Sequence, residues 1–174
     1  MMFKISKYLI FFFFAGMGCI SGHRENLQTS IIQGDTLQTN LFNKLVDLTG
    51  HSIPENRLSD SLSFMIIPID ASCNYCRDKS VDSLNTALDE MNNHHFAIIT
   101  GNGMKAIKAY FSGDKRNMPV KDGQVFVDFE NKAYLNDLVF LHPTFYYSFN
   151  KRVYVKVKTV PITIHDDLRR FFVN

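Results

Sequence analysis

The stretch Leu62-Ser63-Phe64-Met65-Ile66-Ile67-Pro68-Ile69-Asp70-Ala71-Ser72-Cys73-Asn74-Tyr75-Cys76 decides how the chain folds. Residues 62–69 form a continuous apolar run, the pattern of a central strand buried on both faces. Pro68 lacks an N–H, so pairing should end there on one side. Asp70-Ala71-Ser72 reads as a turn, with Ser72 as the expected N-cap. The two cysteines follow at the start of a polar-apolar segment. In it Val81, Leu84, Leu88 and Met91 mark one face of a helix running to about residue 92.

Outward from this centre, apolar periodicity supplies the remaining elements. Leu37, Leu41, Leu45 and Leu48, with Phe42 and Val46, recur at helical spacing, and Gly50 suits the position after the helix end. Residues 96–100 and 125–129 read as strands, 104–111 as a helix and 133–138 as a helical turn. His142-Pro143-Thr144 leads into a strand over 145–149, a turn at Asn150-Lys151-Arg152 and an alternating strand over 153–157. A small helix over 166–172 closes the chain with Leu168, Phe171 and Phe172 facing inward. This order predicts an α/β domain with a central mixed β-sheet flanked by helices on both faces. There is no internal repeat.

The chain has 174 residues, 45% of them apolar and 21% charged, which suits one folded domain plus an attachment segment. A net charge of +2 excludes a strong electrostatic footprint for nucleic acid. Three cysteines exclude a disulfide-stapled scaffold and a four-cysteine zinc site.

The first residues read as an address. Lys4 and Lys7 precede a short apolar stretch, Tyr8 to Met17, and small residues follow, the layout of a secretory signal peptide. Gly18-Cys19 resembles the lipobox of bacterial lipoproteins, in which the cysteine becomes the lipidated N-terminus; Gly16 stands where that pattern prefers Leu. The expected organisation is a signal peptide over 1–18, the lipidated Cys19 and a flexible tether over 19–36, and a folded domain over 37–174. Without Lys4 and Lys7 the mature chain is near neutral, so bulk charge does not select its partners. Outside the cytosol disulfides persist. With Cys19 acylated, Cys73 and Cys76 are the thiols left for chemistry.

Cys73 is expected at the first turn of its helix, where unpaired N–H groups and the helix dipole stabilise a thiolate. The two-residue spacing brings Cys76 back onto Cys73 within one turn. Such a pair can exchange disulfides: Cys73 attacks and Cys76 resolves. Tyr75 sits between the cysteines at an exposed tip, where it can contact a substrate chain. His142 is placed to tune the sulfurs as cation or proton carrier. With the two thiolates it would also make a donor set for copper(I) or zinc. His94 and His95 read as surface residues and a poor chelate. Tyr146 and Tyr147 read as strand packing, and Lys105 and Lys108 as a solvated helix face.

The strand, the Cys73-x-x-Cys76 helix start, and the later Pro143-Thr144-Phe145 with its hairpin resemble the thioredoxin-like superfamily. More closely, they resemble the secreted, membrane-tethered thiol–disulfide oxidoreductases of bacteria. The resemblance covers roughly residues 45–172 in element order; at motif level it is confined to Cys73, Cys76 and Pro143. It implies that Pro143 is cis, packs against the sulfurs and presents backbone groups to a bound peptide. Three departures bear on the direction and rate of exchange. Asn74-Tyr75 lacks the usual proline before the resolving cysteine. Ile67 stands where thioredoxin proper has a buried acid. His142 stands before the proline, where Thr, Val or Ile is more usual. A peroxidase is disfavoured, because Asp70-Ala71-Ser72 lacks the Thr or Pro expected before a peroxidatic cysteine.

The expected function is therefore thiol–disulfide exchange on exported proteins carrying cysteine pairs. The expected enzyme is a periplasm-facing, membrane-anchored lipoprotein served by an electron-donating or electron-accepting redox partner, without a cofactor and without nucleic acid. The alternatives are a binding module on the same fold, for copper or zinc delivery or protein assembly, and a redox-inactive structural lipoprotein.

Overall fold

The computed structural model describes residues 28–113 and 116–173. The expected signal peptide and Cys19 lie outside the described residues. The strands are β1 (Thr29–Ile31), β2 (Leu62–Pro68), β3 (His95–Thr100), β4 (Val125–Asp128), β5 (Thr144–Phe149) and β6 (Arg152–Lys158). The helices are α1 (Asp35–Leu48), α2 (Asn74–Ala87), α3 (Met104–Gly113), α4 (Lys132–Leu135) and α5 (Ile164–Val173). The strands form one mixed sheet in the order β1-β6-β5-β2-β3-β4. β2, β3 and β4 run parallel, β5 runs antiparallel to β2, and β6 and β1 continue antiparallel.

The apolar run of β2 goes where its pattern requires. Leu62, Phe64 and Ile66 face one layer, with α1, Ala133 of α4, Leu138 and Val139; Met65 and Ile67 face the other, with α2, α3 and α5. All five of these β2 side chains are wholly buried, or within 1% of it. Pro68 ends pairing on one side only. Toward β3 the register continues to Pro68 opposite Thr100, whereas toward β5 it ends at Ile66 opposite Thr144. Beyond that point β2 and the chain leading into β5 separate. The gap lies at the carboxyl end of a central strand, with β3 on one side and β5 on the other, which is where open α/β sheets place their sites.

Four elements depart from the sequence-based expectation. The segment expected as a tether contributes β1, so the folded unit begins before residue 37; Thr29, Ser30 and Ile31 pair with Val157, Lys156 and Val155. Three exposed residues on a sheet edge carry no apolar period by which to recognise them. Helix α2 ends at Ala87 rather than near residue 92. The Lys121 ammonium draws off the following carbonyls, donating to Leu88 O at 2.7 Å and Met91 O at 3.3 Å. His95 is buried, not on the surface (3% exposed), because β3 is interior from its first residue. The N-cap of α2 is Cys73 itself rather than Ser72. The predicted hairpin turn forms, with Asn150 and Lys151 both at positive φ (49° and 59°), which matches the twist of the flanking strands.

Asp128 ends β4 and organises the turn after it. Its carboxylate accepts hydrogen bonds from the Thr100 hydroxyl (2.8 Å) and from the N–H groups of Lys132 (2.9 Å) and Ala133 (2.8 Å). This satisfies the first donors of α4 and ties β3 to it. Asp128→Ala leaves the buried Ala133 N–H without a partner and Thr100 with only Asn131 Oδ1 at 3.3 Å, and the expected loss of stability is about 1–3 kcal/mol. Urea unfolding checks this through a lower midpoint at unchanged slope; a shift worth less than about 0.5 kcal/mol would show the carboxylate to be dispensable.

Candidate functional site

The gap beyond Pro68 is filled by two loops lying side by side. One carries residues 69–73 out of β2 into α2; the other carries residues 139–143 into β5. Ser72 stitches them together, its N–H donating to Leu141 O at 3.0 Å and its hydroxyl to the same oxygen at 3.3 Å. The second loop is clamped from behind, where Thr159 donates its N–H (3.0 Å) and its hydroxyl (3.1 Å) to Pro143 O. Arg77 reaches back from α2 to Ile69 O at 3.0 Å and pairs with Asp78 at 2.8 Å. These bonds hold the first loop at both ends.

Cys73 and Cys76 form a disulfide with Cα atoms 5.3 Å apart. The two sulfurs are not equivalent. Cys73 is the N-cap residue of α2 and is partly exposed, whereas Cys76 lies within the first helical turn and is wholly buried. The Cys76 N–H donates to Cys73 Sγ at 3.1 Å. When the bond is reduced, the same N–H and the positive end of α2 act on the sulfur of Cys73, favouring its thiolate. Cys76, packed among Met65, Ile67 and Val81, has no such access to solvent.

His142 belongs to this cluster. One of its ring nitrogens and both sulfurs lie within 4.8 Å of one another. Burial, and secondarily the positive charge of Lys158, hold its imidazole below its ordinary pKa of 6.5, with a hydrogen bond to the Thr159 backbone pulling the other way. The ring is therefore neutral at pH 7. Its Nδ1 is enclosed and has no hydrogen-bond partner. A neutral imidazole beside two sulfurs can accept a thiol proton, or join the thiolates as a third donor to a soft metal ion.

Pro143 lies where the sequence predicts, immediately before β5. Its peptide bond is trans rather than cis, as are all those of the described residues. An X–Pro bond intrinsically favours trans by about 0.5–1 kcal/mol. Tyr75 is half exposed, and its hydroxyl is 2.9 Å from His165 Nε2, so the tip between the cysteines is tied to α5. Sequence reasoning missed His165 and Thr159, which carry no motif of their own. Asp70 lies in the turn, as expected.

The chain matches no protein-family model and no curated protein. Among the described residues, no helix is long and apolar enough to cross a membrane.

The buried imidazoles set a pH dependence. Burial also lowers the pKa of His95, helped by the neighbouring charge of His94. Below 6.5, the ordinary value, the unfolded chain binds protons that the folded rings of His95 and His142 do not. Their contribution to stability is therefore complete above 6.5 and is lost as the pH falls through their folded values. Urea unfolding between pH 7.5 and 5 should give a falling free energy, with a smaller fall in His142→Gln; equal slopes in the two proteins would remove His142 from this account.

Proposed function

We propose that the protein exchanges disulfides with other polypeptides through Cys73 and Cys76, on a thioredoxin-like fold. The observation that carries this reading is the asymmetry of the pair. The accessible sulfur caps a helix, and the enclosed one lies a turn behind it. The mixed sheet with helices on both faces and the Cys73-x-x-Cys76 pair are compatible with that fold.

In the reducing direction the Cys73 thiolate attacks one sulfur of a client disulfide. A Cys73–client disulfide forms, and the other client sulfur leaves as a thiolate. Cys76 then gives its proton to neutral His142 and attacks Cys73 Sγ. The Cys73–Cys76 bond closes and the second client sulfur departs. Two electrons pass to the client, and a redox partner must restore the dithiol. In the oxidising direction the steps run in reverse.

The N-terminal pattern supports export and attachment to a membrane through acylated Cys19. The clients would then be exported proteins with cysteine pairs, met in the cell envelope.

Cys76→Ser should accumulate mixed disulfides with client proteins, because attack proceeds and resolution does not. Cys73→Ser should accumulate few. Equal trapping by the two variants would reverse or erase the assignment of roles.

A second reading rests on the distance of His142 from the sulfurs. The reduced site offers two thiolates and an imidazole, a donor set suited to copper(I) or zinc. This reading predicts that the reduced protein takes up one equivalent of either ion in competition with a chelator, and that His142→Ala weakens the binding at least tenfold. Lack of uptake by the fully reduced protein would exclude it.

A further inference from the structure

The opposite pole of the sheet holds a feature that disulfide exchange does not use. An open cavity of about 770 Å³ lies where β2 and β3 begin and β5 ends. β2 is seven residues long, so this cavity is roughly 20 Å from the cysteines. Leu62, Tyr147, Phe149 and Val155 supply apolar wall, and His95 and Arg170 polar wall. The volume is within the range of small-molecule pockets, about 300–1,000 Å³.

Three side chains at this cavity, His95, Tyr147 and Arg170, make no side-chain hydrogen bond among the described residues. His95 is only 3% exposed, its ring packs on Phe171 at 5.0 Å, and its enclosed Nδ1 has no hydrogen bond. The Tyr147 hydroxyl makes none either, and burial pushes its pKa up to about 12, so it remains a donor at neutral pH. Arg170, on α5, makes no hydrogen bond and no ion pair within 4 Å; its electrostatic neighbours are Asp167, one turn back, and Tyr147. The carboxyl of Asp167 is engaged by the Thr163 hydroxyl at 2.8 Å. The acid on the cavity wall, Asp60, faces Arg57 at 3.9 Å and His94 at 3.8 Å. A guanidinium, a phenol donor and a neutral imidazole that make no hydrogen bonds, set in apolar wall, are complementary to one anionic group on an apolar body. Of these groups Arg170 is exposed at the cavity rim, Tyr147 is part-buried, and the His95 Nδ1 is fully enclosed; a buried polar atom left unpaired is costly, and an occupant that hydrogen-bonds it relieves that cost.

We propose that this cavity is a second binding site, for a small molecule consisting of a carboxylate on an apolar chain or ring, with Arg170 and Tyr147 holding the carboxylate. The site does not depend on the cysteines and stands whether or not they exchange disulfides.

The test uses the full chain, with octanoate as probe and octanol and octylamine as controls. Binding is read by calorimetry and by NMR shifts of His95 and its neighbours. Octanoate should bind saturably at millimolar concentration or below, shifting signals at the cavity and not at Cys73. Octanol and octylamine should bind at least tenfold more weakly. Arg170→Gln should weaken octanoate at least tenfold and leave octanol unchanged. Tyr147→Phe, which preserves the wall, should weaken octanoate severalfold. Cys73→Ser should bind octanoate like the parent. Equal binding of octanoate and octanol, or no effect of Arg170→Gln, would overturn the carboxylate assignment. No saturable shift at the cavity would overturn the site. A peptide ending in Leu-Phe, with its amidated form as control, identifies the source. If the free acid binds and octanoate does not, the occupant is a polypeptide terminus and the small-molecule proposal is overturned.

Discussion

The site depends on what happens at the end of β2. This strand is buried between a parallel and an antiparallel neighbour, and Pro68 cannot donate on the side that faces β5. The sheet therefore opens beyond Ile66 and Thr144 on one side while staying closed toward β3, where the Ile69 N–H still bonds to Thr100 O at 3.0 Å. That one-sided opening admits the loop carrying His142 beside the loop carrying Cys73. The hydrogen bonds of Ser72, Thr159 and Arg77 then hold the two loops in place. The helix start is thus aimed at the gap, with an imidazole facing it.

The two cysteines acquire different properties from their positions alone. An N-cap residue stands outside the helical hydrogen-bond ladder, and its side chain receives the N–H of a residue three further on. With cysteine as the cap, the atom receiving that bond is the sulfur, and a thiolate receives it better than a thiol. Cys76, three residues on, turns inward with the apolar face of α2. The same spacing that lets the pair close a disulfide therefore makes one sulfur reactive and accessible and the other protected. His142 adds a neutral proton acceptor, because burial outweighs its hydrogen bond to Thr159.

Most of this was legible in the sequence, and the failures have physical causes. The apolar run of 62–69, the alternation over 153–157 and the helical face of α1 each follow from burial on a known period, and they appear as predicted. The Cys73-x-x-Cys76 pair and the approach of His142 were legible because residue type and element order together restrict where such groups meet. β1 was not, since an exposed edge strand of three residues carries no period. The early end of α2 was hidden because Lys121, which takes its terminal carbonyls, is distant in sequence. His95 was misread because a single residue at a strand start gives no sign of which wall will cover it. The partnership of Tyr75 with His165 and the clamp of Thr159 on Pro143 join side chains to groups far along the chain, and only the folded packing reveals them.

The central claim is that the Cys73–Cys76 bond opens and closes reversibly under conditions other proteins can match. The direct measurement is an equilibrium redox titration of the folded chain in thiol buffers, with alkylation and mass detection of the free thiols. A reversible exchange site should show a single two-electron transition well above about −300 mV, the range in which disulfides remain open to exchange. A bond that resists reduction to below that potential, or two thiols that never close, would contradict it.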